Sequence, residues 1–458
     1  MTRGASGASA PSASVVAVAV VVGALVGALT TLGGDAWSIA AALAIGGAVA
    51  ATVLEPRVGL LAAIALVPLD SYGRVLGSPV LVTAYQVLLI ATLLSWGARI
   101  LVGRARLRLR AAEIAATALV VAGLWSLATS ADRAATVVSC IRLGFEIVLF
   151  VLCTRLLTDR RWLRAAAAVL VVSALAAAVL AFVQTASPDI GLGFAQIQGT
   201  VQRAQILRVT ALFSDPNMLG GFMSVAAAAF LAAAVHARKA VPAVLWIAAT
   251  AIAAGAMYLT YSRGSWMAFA ACVPVIVATA PAARRAIGWF AIVAVVAVVL
   301  VTSPGVLVDR LTSSFDVQND ASAATRYQMY VSTVRMIADR PIFGTGLGAY
   351  NKVYPAYRDS AAAESVSKPH QVPLAFVAET GVAGLAVEVL LVVLLVRALA
   401  RRRGRPWSAW EAAGAAGTTA ILLGSLFEYY LYFEYLWIFA ALWVVATRIA
   451  SNEEVVDV

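Results

Sequence analysis

The sequence predicts an all-α polytopic membrane protein with about 12–14 transmembrane helices and a large extracytoplasmic loop that carries short surface helices. Of the 458 residues, 62% are hydrophobic and only 12% are charged, whereas about a quarter are charged in soluble proteins. The apolar residues form long runs that short polar joints separate, as in helices that cross a bilayer. The alternating polar and apolar pattern of outer-membrane barrel strands does not occur in the sequence.

The length of each apolar run decides which runs are counted as spans. A helix needs about 20 apolar residues to cross the hydrocarbon core, with a lower limit near 17. The third run is short and ends at Pro68, so the sequence leaves open whether it is only half inserted. The predicted spans are 15–32, 37–54, 57–70, 80–101, 111–128, 138–157, 163–185, 218–236, 241–260, 265–281, 286–303, 373–397, 410–427 and 430–449.

Positive charge falls in every second loop between these spans. The positive-inside rule assigns such loops to the cytoplasm, which predicts that both termini are cytoplasmic. Because the charges lie beside apolar spans, the net charge of +11 indicates contact with membrane lipids and not with nucleic acid. The basic loops carry Arg99, Arg104, Arg106, Arg108 and Arg110; Arg155, Arg160, Arg161 and Arg164; Arg238 and Lys239; Arg284 and Arg285; and Arg397, Arg401, Arg402, Arg403 and Arg405.

The two longest loops lie on the opposite, outer side, at 187–217 and 304–372. Within the second loop, apolar residues recur at helical spacing over Ala324–Ala338, which predicts a helix along the membrane surface that Pro341 ends. Long loops often carry function. We therefore divide the chain into N-terminal transmembrane helices, 1–200, and a functional region, 201–458, that includes the periplasmic loop 304–372.

Arginines on the outer side contradict the charge bias, so they need a reason. Arg263 lies at the mouth between two spans, Arg326 begins the surface helix, and Arg208 lies in the other long outer loop. A guanidinium offers a rigid fork of donors that suits phosphate, and it keeps its charge. These three residues are the predicted pyrophosphate-binding residues, although a snorkelling or solvated arginine is the alternative at each position.

His370 is the predicted catalytic residue, because it lies where the outer loop re-enters the membrane and an imidazole can exchange a proton near neutral pH. An interfacial histidine without chemistry is the alternative. No metal-binding carboxylate pair appears on the outer side, so we expect neither a metal nor a cofactor. Residues expected to contact the acceptor or to support the site are Asn217, Glu379, Glu428 and Glu434.

Four stretches together resemble the O-antigen ligase and O-antigen polymerase family of bacterial membrane glycosyltransferases. Arg326 opens the helix that leads into the third stretch, as in that family. The chain departs from the family pattern at Gln371, where asparagine is common, and at Tyr330, near a common tryptophan. The stretches are Arg208–Asn217, Ser262–Gly264, Asp339–Gly348 (DRPIFGTGLG), and His370 with Glu379–Leu385 (ETGVAGL).

The resemblance implies a glycan donor carried on undecaprenyl pyrophosphate and a transfer that needs no metal or nucleotide sugar. It implies that Arg263 and Arg326 hold the pyrophosphate and that His370 acts on the acceptor hydroxyl. The acceptor remains open: another glycan for a polymerase, a lipid or cell-wall sugar for a ligase, or a protein. From a different class, a transporter or flippase of anionic lipid-linked glycans would place charges along a path through the membrane, and Arg142, Glu146 and Glu388 keep that alternative open.

Overall fold

The computed structural model describes residues 35–69, 74–76, 82–103, 110–187, 196–201, 204–286, 321–358, 370–400 and 405–456. Helices dominate these ranges, so the predicted all-α polytopic class is confirmed, and eight of the described helices are long and apolar enough to cross a membrane. The predicted span 15–32, and all but the first residue of 286–303, lie outside the described residues.

The helices are α1 (Asp35–Leu54), α2 (Pro56–Leu66), α3 (Ala84–Leu101), α4 (Ala111–Trp125), α5 (Arg133–Leu156), α6 (Arg160–Ala186), α7 (Pro216–His236), α8 (Ala240–Leu259), α9 (Arg263–Thr279), α10 (Ala321–Asp339), α11 (Tyr350–Val353), α12 (Val372–Thr380), α13 (Val382–Ala400), α14 (Ala409–Gly424) and α15 (Glu434–Val456). Two antiparallel hairpins join them, β1 (Arg74–Leu76) with β2 (Val82–Thr83) and β3 (Gln196–Val201) with β4 (Ala204–Arg208).

The chain divides into two compact units. Unit 1 comprises Met1–Leu107, Val151–Ser214 and Val444–Val458, and unit 2 comprises Arg108–Phe150 and Asp215–Trp443. In unit 1, α2 has only 11 residues, which corresponds to about 16 Å and is shorter than a membrane core. Its leucines are fully buried, so the predicted short third span is a short helix inside the protein.

Unit 2 is built around α7, whose side chains are almost all buried. It packs against α8, α9 and α14. Nine of the 21 residues of α7 are alanine or glycine, and small residues let helix backbones approach closely where no hydrophobic effect drives association. Asp215 caps the helix by accepting a hydrogen bond from the Asn217 amide, and Pro216 occupies the first turn.

The two ends of unit 2 differ in composition. At one end, α7 and α9 both terminate: the His236 ring contacts the Thr279 carbonyl, with Nε2 to oxygen 3.0 Å, and Arg238, Lys239 and Arg284 follow in sequence. At the other end, called the loop end here, the turns before α7 and α9 meet the turn at residues 425–433. The predicted functional residues of unit 2 belong to the loop end.

The predicted surface helix is present as α10, Ala321–Asp339, two residues before Pro341. Met329 and Met336 on one face are fully buried and pack with Tyr350, Val353 and Tyr354. Tyr327, Val334 and Arg335 on the opposite face are exposed. This division follows the helical spacing seen in the sequence.

The predicted single span 373–397 is interrupted, which corrects the sequence interpretation. Gly381 has φ +65° and ψ −147°, a conformation that L side chains rarely adopt, and it separates α12 from α13. Residues 341–348, called the glycine strap here, fit into this break: Thr345 and Gly346 donate backbone hydrogen bonds of 3.0 and 2.9 Å to the Ala378 and Glu379 carbonyls. A Cβ on Gly344 would clash with the Glu379 backbone, so the strap requires glycine there.

The other side of the strap contacts the turn between α4 and α5. Trp125 stacks on Phe343, with ring centroids 4.7 Å apart, and the Thr129 hydroxyl donates to the Gly344 carbonyl at 2.9 Å. The Ala131 amide donates to the Thr345 carbonyl at 3.0 Å. The DRPIFGTGLG stretch therefore joins three parts of unit 2 through its backbone.

Candidate functional site

His370 contacts a carboxylate that is distant in sequence. Its Nδ1 lies 2.9 Å from Glu428 Oε1, and the side chains are 33% and 13% exposed, respectively. The Val372 amide donates to the Ser425 carbonyl at 2.8 Å, so the start of α12 is fixed against the turn that carries Glu428. An ionised carboxylate only accepts hydrogen bonds, so Nδ1 is the donor in this contact. In a neutral imidazole with its hydrogen on Nδ1, the lone pair is on Nε2.

The ionised form of Glu428 is favoured despite its burial. Burial opposes ionisation most strongly, but the hydrogen bond and charge of His370, together with the charge of Arg326, hold the pKa of Glu428 below its ordinary value. The charge of Arg326 also acts on Tyr330 and Tyr430. Arg326 and Tyr330 are four residues apart on α10 and share one face, which therefore faces the Glu428 turn.

Arg263 is the first residue of α9, and its side chain is only 8% exposed. A Cβ on the next residue, Gly264, would lie 2.8 Å from the Cβ of Phe427, which directly precedes Glu428. Arg263 and Glu428 are thus each one residue away from the same close contact. The turn before Arg263 is strained, because Tyr261 has φ +51°, and strain of this kind concentrates at functional sites.

Tyr430 connects the helices that begin and end at the loop end. Its hydroxyl donates to the Asn217 carbonyl at 2.9 Å and also hydrogen-bonds with Ser265 on α9. The ring fills the space beside Gly221, where a Cβ would lie 2.6 Å from the hydroxyl oxygen. Burial raises the pKa of Tyr430, so the hydroxyl remains protonated. Asn217 therefore contacts the turn that carries Glu428 through its backbone carbonyl.

Glu379 is buried, with 3% exposure, at the end of α12. Its Oε1 accepts a hydrogen bond from the Tyr350 amide at 3.2 Å, and its Oε2 lies 3.5 Å from the Tyr429 hydroxyl. The Tyr350 hydroxyl lies 2.8 Å from Thr333 Oγ1 on α10. Glu379 thus connects Tyr350, which contacts α10, to the turn that carries Glu428.

The remaining predicted residues lie elsewhere. Arg208 belongs to unit 1, where it ends β4 and is buried; in the following loop, the Thr210 and Ala211 amides both donate to Gln184 Oε1. Glu434 is the first residue of α15, and it is Glu428 that contacts His370. The Arg142 guanidinium lies over the Tyr432 ring, 4.8 Å from its centroid.

Sequence reasoning missed the tyrosines that support the site. The Gly220–Gly221 pair in the second turn of α7 leaves room for a large ring, and it would have indicated a partner such as Tyr430. No pattern pairs Tyr350 with Thr333, because the contact depends on how the glycine strap turns. Trp125 and Thr129 carry no signal, because they lie in a part of the chain that reads only as spans.

The arrangement combines an imidazole, a carboxylate that contacts it, and the charge of Arg326 acting on that carboxylate. Among the residues that the structure describes, no group of three or more His, Cys, Asp or Glu is placed to hold a metal ion. Such a set of side chains can take a proton from a hydroxyl and can stabilise an anionic leaving group.

Residues 248–389 match a family model that is described as O-Antigen ligase. The matched region covers about a third of the chain and includes Arg263, Arg326, His370 and Glu379. No curated protein matches the chain.

Proposed function

The chain belongs to the O-antigen ligase/polymerase family, and on that premise we propose that it transfers a glycan from an undecaprenyl-pyrophosphate-linked donor to an acceptor hydroxyl. The reaction takes place at the outer face of the cytoplasmic membrane and needs no metal. The observation that carries the proposal is the contact between His370 and Glu428 beside the charge of Arg326.

Arg326 and Arg263 hold the donor pyrophosphate. Both residues border the turn that carries Glu428, and the buried position of Arg263 weakens competition from water. Each guanidinium can make two parallel hydrogen bonds to phosphate oxygens. The leaving pyrophosphate gains negative charge as the glycosidic bond breaks, so fixed cations stabilise the transition state more than the ground state.

His370 activates the acceptor. Its Nε2 takes the proton as the hydroxyl oxygen attacks the anomeric carbon; the bond from that carbon to the pyrophosphate oxygen breaks, and the electron pair leaves with undecaprenyl pyrophosphate. Glu428 keeps Nδ1 as the donor and stabilises the imidazolium that forms, much as a carboxylate does for histidine in hydrolase triads. The proton then passes to solvent. Attack opposite the pyrophosphate inverts the anomeric centre.

A polymerase of the same family is the second candidate, since the chemistry of the donor and of the base is identical. The acceptor then is the end of another lipid-linked glycan and not a lipid or a cell-wall sugar.

Support for the outer location comes from the basic residues at the opposite end of unit 2, Arg238, Lys239 and Arg284.

The test is transfer by the purified protein in proteoliposomes. The donor is an undecaprenyl-pyrophosphate-linked oligosaccharide, the acceptors are a lipid-linked sugar and a second donor molecule, and a chelator is present throughout. We expect a new glycosidic bond and released undecaprenyl pyrophosphate with one of the acceptors. Glycan that crosses the bilayer without a new linkage would instead favour a transporter.

A further inference from the structure

The proposed centre has two parts, Arg326 and the His370–Glu428 pair. Glu379 is linked to the first part through Tyr350 and to the second through Tyr429. On one side it accepts the Tyr350 amide hydrogen at 3.2 Å. On the other side its second oxygen faces the Tyr429 hydroxyl at 3.5 Å. The carboxylate is 3% exposed, and burying a charge is costly unless hydrogen bonds compensate it. We therefore expect the buried Glu379 carboxylate to have a structural or functional role.

The first connection runs to Arg326 through α10. The Thr333 hydroxyl donates its hydrogen to the Met329 carbonyl at 2.6 Å. Because a hydroxyl has only one hydrogen, the Tyr350 hydroxyl must be the donor in its 2.8 Å contact with Thr333. Thr333 follows Arg326 by two helical turns on the same face. The hydroxyl of Tyr350 thus holds the helix that carries Arg326 through a hydrogen bond at Thr333.

The second connection runs to His370 through the turn. Tyr429 directly follows Glu428, whose Oε1 contacts His370 Nδ1 at 2.9 Å and also accepts from the Tyr429 amide at 3.3 Å. A movement of the Tyr429 side chain therefore moves the carboxylate that orients the imidazole.

We propose that Glu379 is a positioning residue, which sets the distance between Arg326 and the His370–Glu428 pair by holding Tyr350 and Tyr429 at the same time. The inference rests on the proposed function and adds a residue that touches neither donor nor acceptor. A shift of the order of 1 Å between reacting groups can lower a rate by about 100-fold, so loss of this spacer has a measurable effect.

The two connections are cut separately by removing one hydroxyl at a time. Tyr350→Phe keeps the ring and the amide but releases Thr333, and Tyr429→Phe releases Glu379. Tyr357→Phe is the matched control, because the Tyr357 hydroxyl also bonds α10, at Asp339 Oδ2 and 2.8 Å, but lies outside the connection. Affinity for inorganic pyrophosphate, measured by calorimetry in nanodiscs, reports on Arg326 without any transfer.

We expect Tyr350→Phe to weaken pyrophosphate binding by about 3–10-fold and Tyr429→Phe to leave it within about twofold, since a single hydrogen bond contributes roughly 0.5–1.5 kcal/mol. Tyr429→Phe instead lowers kcat and changes the pH profile of transfer. Glu379→Ala combines both effects, and it adds less than about twofold to the binding loss of Arg326→Ala, because residues that act through one another are not additive.

Equal pyrophosphate affinities in Tyr350→Phe, Tyr357→Phe and the wild type would overturn the proposal, as would a full binding loss from Glu379→Ala in the Arg326→Ala background. If Glu379→Ala does not fold, the two tyrosine variants decide the matter. A wild type that binds pyrophosphate but transfers no glycan would refute the proposed function, while the binding series still accepts or rejects the role of Glu379 toward Arg326.

Discussion

The imidazole of His370 and the carboxylate of Glu428 form a hydrogen-bonded pair, with Nδ1 and Oε1 2.9 Å apart, although 58 residues separate them in the chain. The pair joins the start of α12 to the turn before the last helix. The charge of Arg326, on α10, acts on the same carboxylate, so three parts of unit 2 contribute to the surroundings of Glu428.

Replacement of Arg326 by alanine removes a positive charge beside this pair. We expect kcat/KM for the lipid-linked donor to fall by about 100–1,000-fold, which is the usual effect of losing one donor to a developing anion. Lysine in place of Arg326 recovers part of the activity, because it keeps the charge but loses the planar fork. Initial rates of glycan transfer at several donor concentrations measure both effects.

Arg335→Ala is the matched control for Arg326. Arg335 lies on the same helix and carries the same charge, but it is exposed on the opposite face of α10. Its loss should change the rate by less than about threefold, since exposed charges act weakly through water. Equal losses in both variants would mean that general surface charge, and not a pyrophosphate site, explains the effect.

Acid should destabilise the protein through Glu428. Its pKa in the folded protein lies below the ordinary value of 4.5, so the ionised carboxylate contributes stability that is complete above about pH 4.5 and is lost as the pH falls through the lower folded value. Unfolding temperatures measured by intrinsic fluorescence between pH 3 and pH 7 test this. Glu428→Gln should lower the melting temperature at pH 7 and flatten its decline in acid.

The same series can contradict the assignment. A Glu428→Gln protein whose melting temperature falls in acid as steeply as that of the wild type would show that other carboxylates carry the dependence. Glu434→Gln, six residues along the chain, is the control and should retain the wild-type slope.

Gly381 should not tolerate a side chain. Its φ of +65° disfavours any L residue, and a Cβ would lie 2.4 Å from the Ile342 carbonyl oxygen in the glycine strap. We expect Gly381→Ala to destabilise the protein by about 1–3 kcal/mol. Thermal unfolding in detergent measures the loss.

Gly144→Ala provides the comparison for Gly381→Ala. Gly144 lies within α5, where an added Cβ meets nothing within 4 Å, and alanine favours a helix over glycine by about 1 kcal/mol. This variant should therefore be as stable as the wild type or more stable. A Gly381→Ala protein with the same melting temperature as Gly144→Ala would remove the argument that the strap and the helix break fit backbone to backbone.

The sequence predicted features that depend on local spacing. The 3.6-residue period predicted α10, because this signal acts within a few turns of helix. The break at Gly381 was missed, since an apolar run of the right length on both sides conceals a single glycine. The sequence predicted that the third apolar run, α2, is short. Its burial inside unit 1 depends on packing against helices that a local sequence pattern does not identify.

The candidate site was predicted in its residues more than in its contacts. His370 and Arg326 were proposed as site residues from their types and from their predicted place relative to the membrane, and these roles remain predictions. Glu379 had no identifiable partner in sequence, because a backbone amide, that of Tyr350, and a tyrosine hydroxyl hold it. Tertiary packing determines such hydrogen-bond partners, so the sequence alone does not reveal them.

The orientation in the membrane can be measured with single cysteines. The three native cysteines are buried, so they contribute little background. With a membrane-impermeant maleimide on intact spheroplasts, we expect Arg335→Cys to be labelled and Lys239→Cys to be labelled only after permeabilisation. The opposite pattern would place the His370–Glu428 pair on the cytoplasmic side and would exclude the proposed donor.

The most direct measurement is single-turnover glycan transfer by His370→Ala in proteoliposomes, with donor binding measured in the same preparation. If His370 is the base beside a separate pyrophosphate site, the rate of transfer falls by about 100–10,000-fold while donor affinity stays within about threefold of the wild type. A His370→Ala protein that transfers glycan at the wild-type rate would contradict the account at its centre.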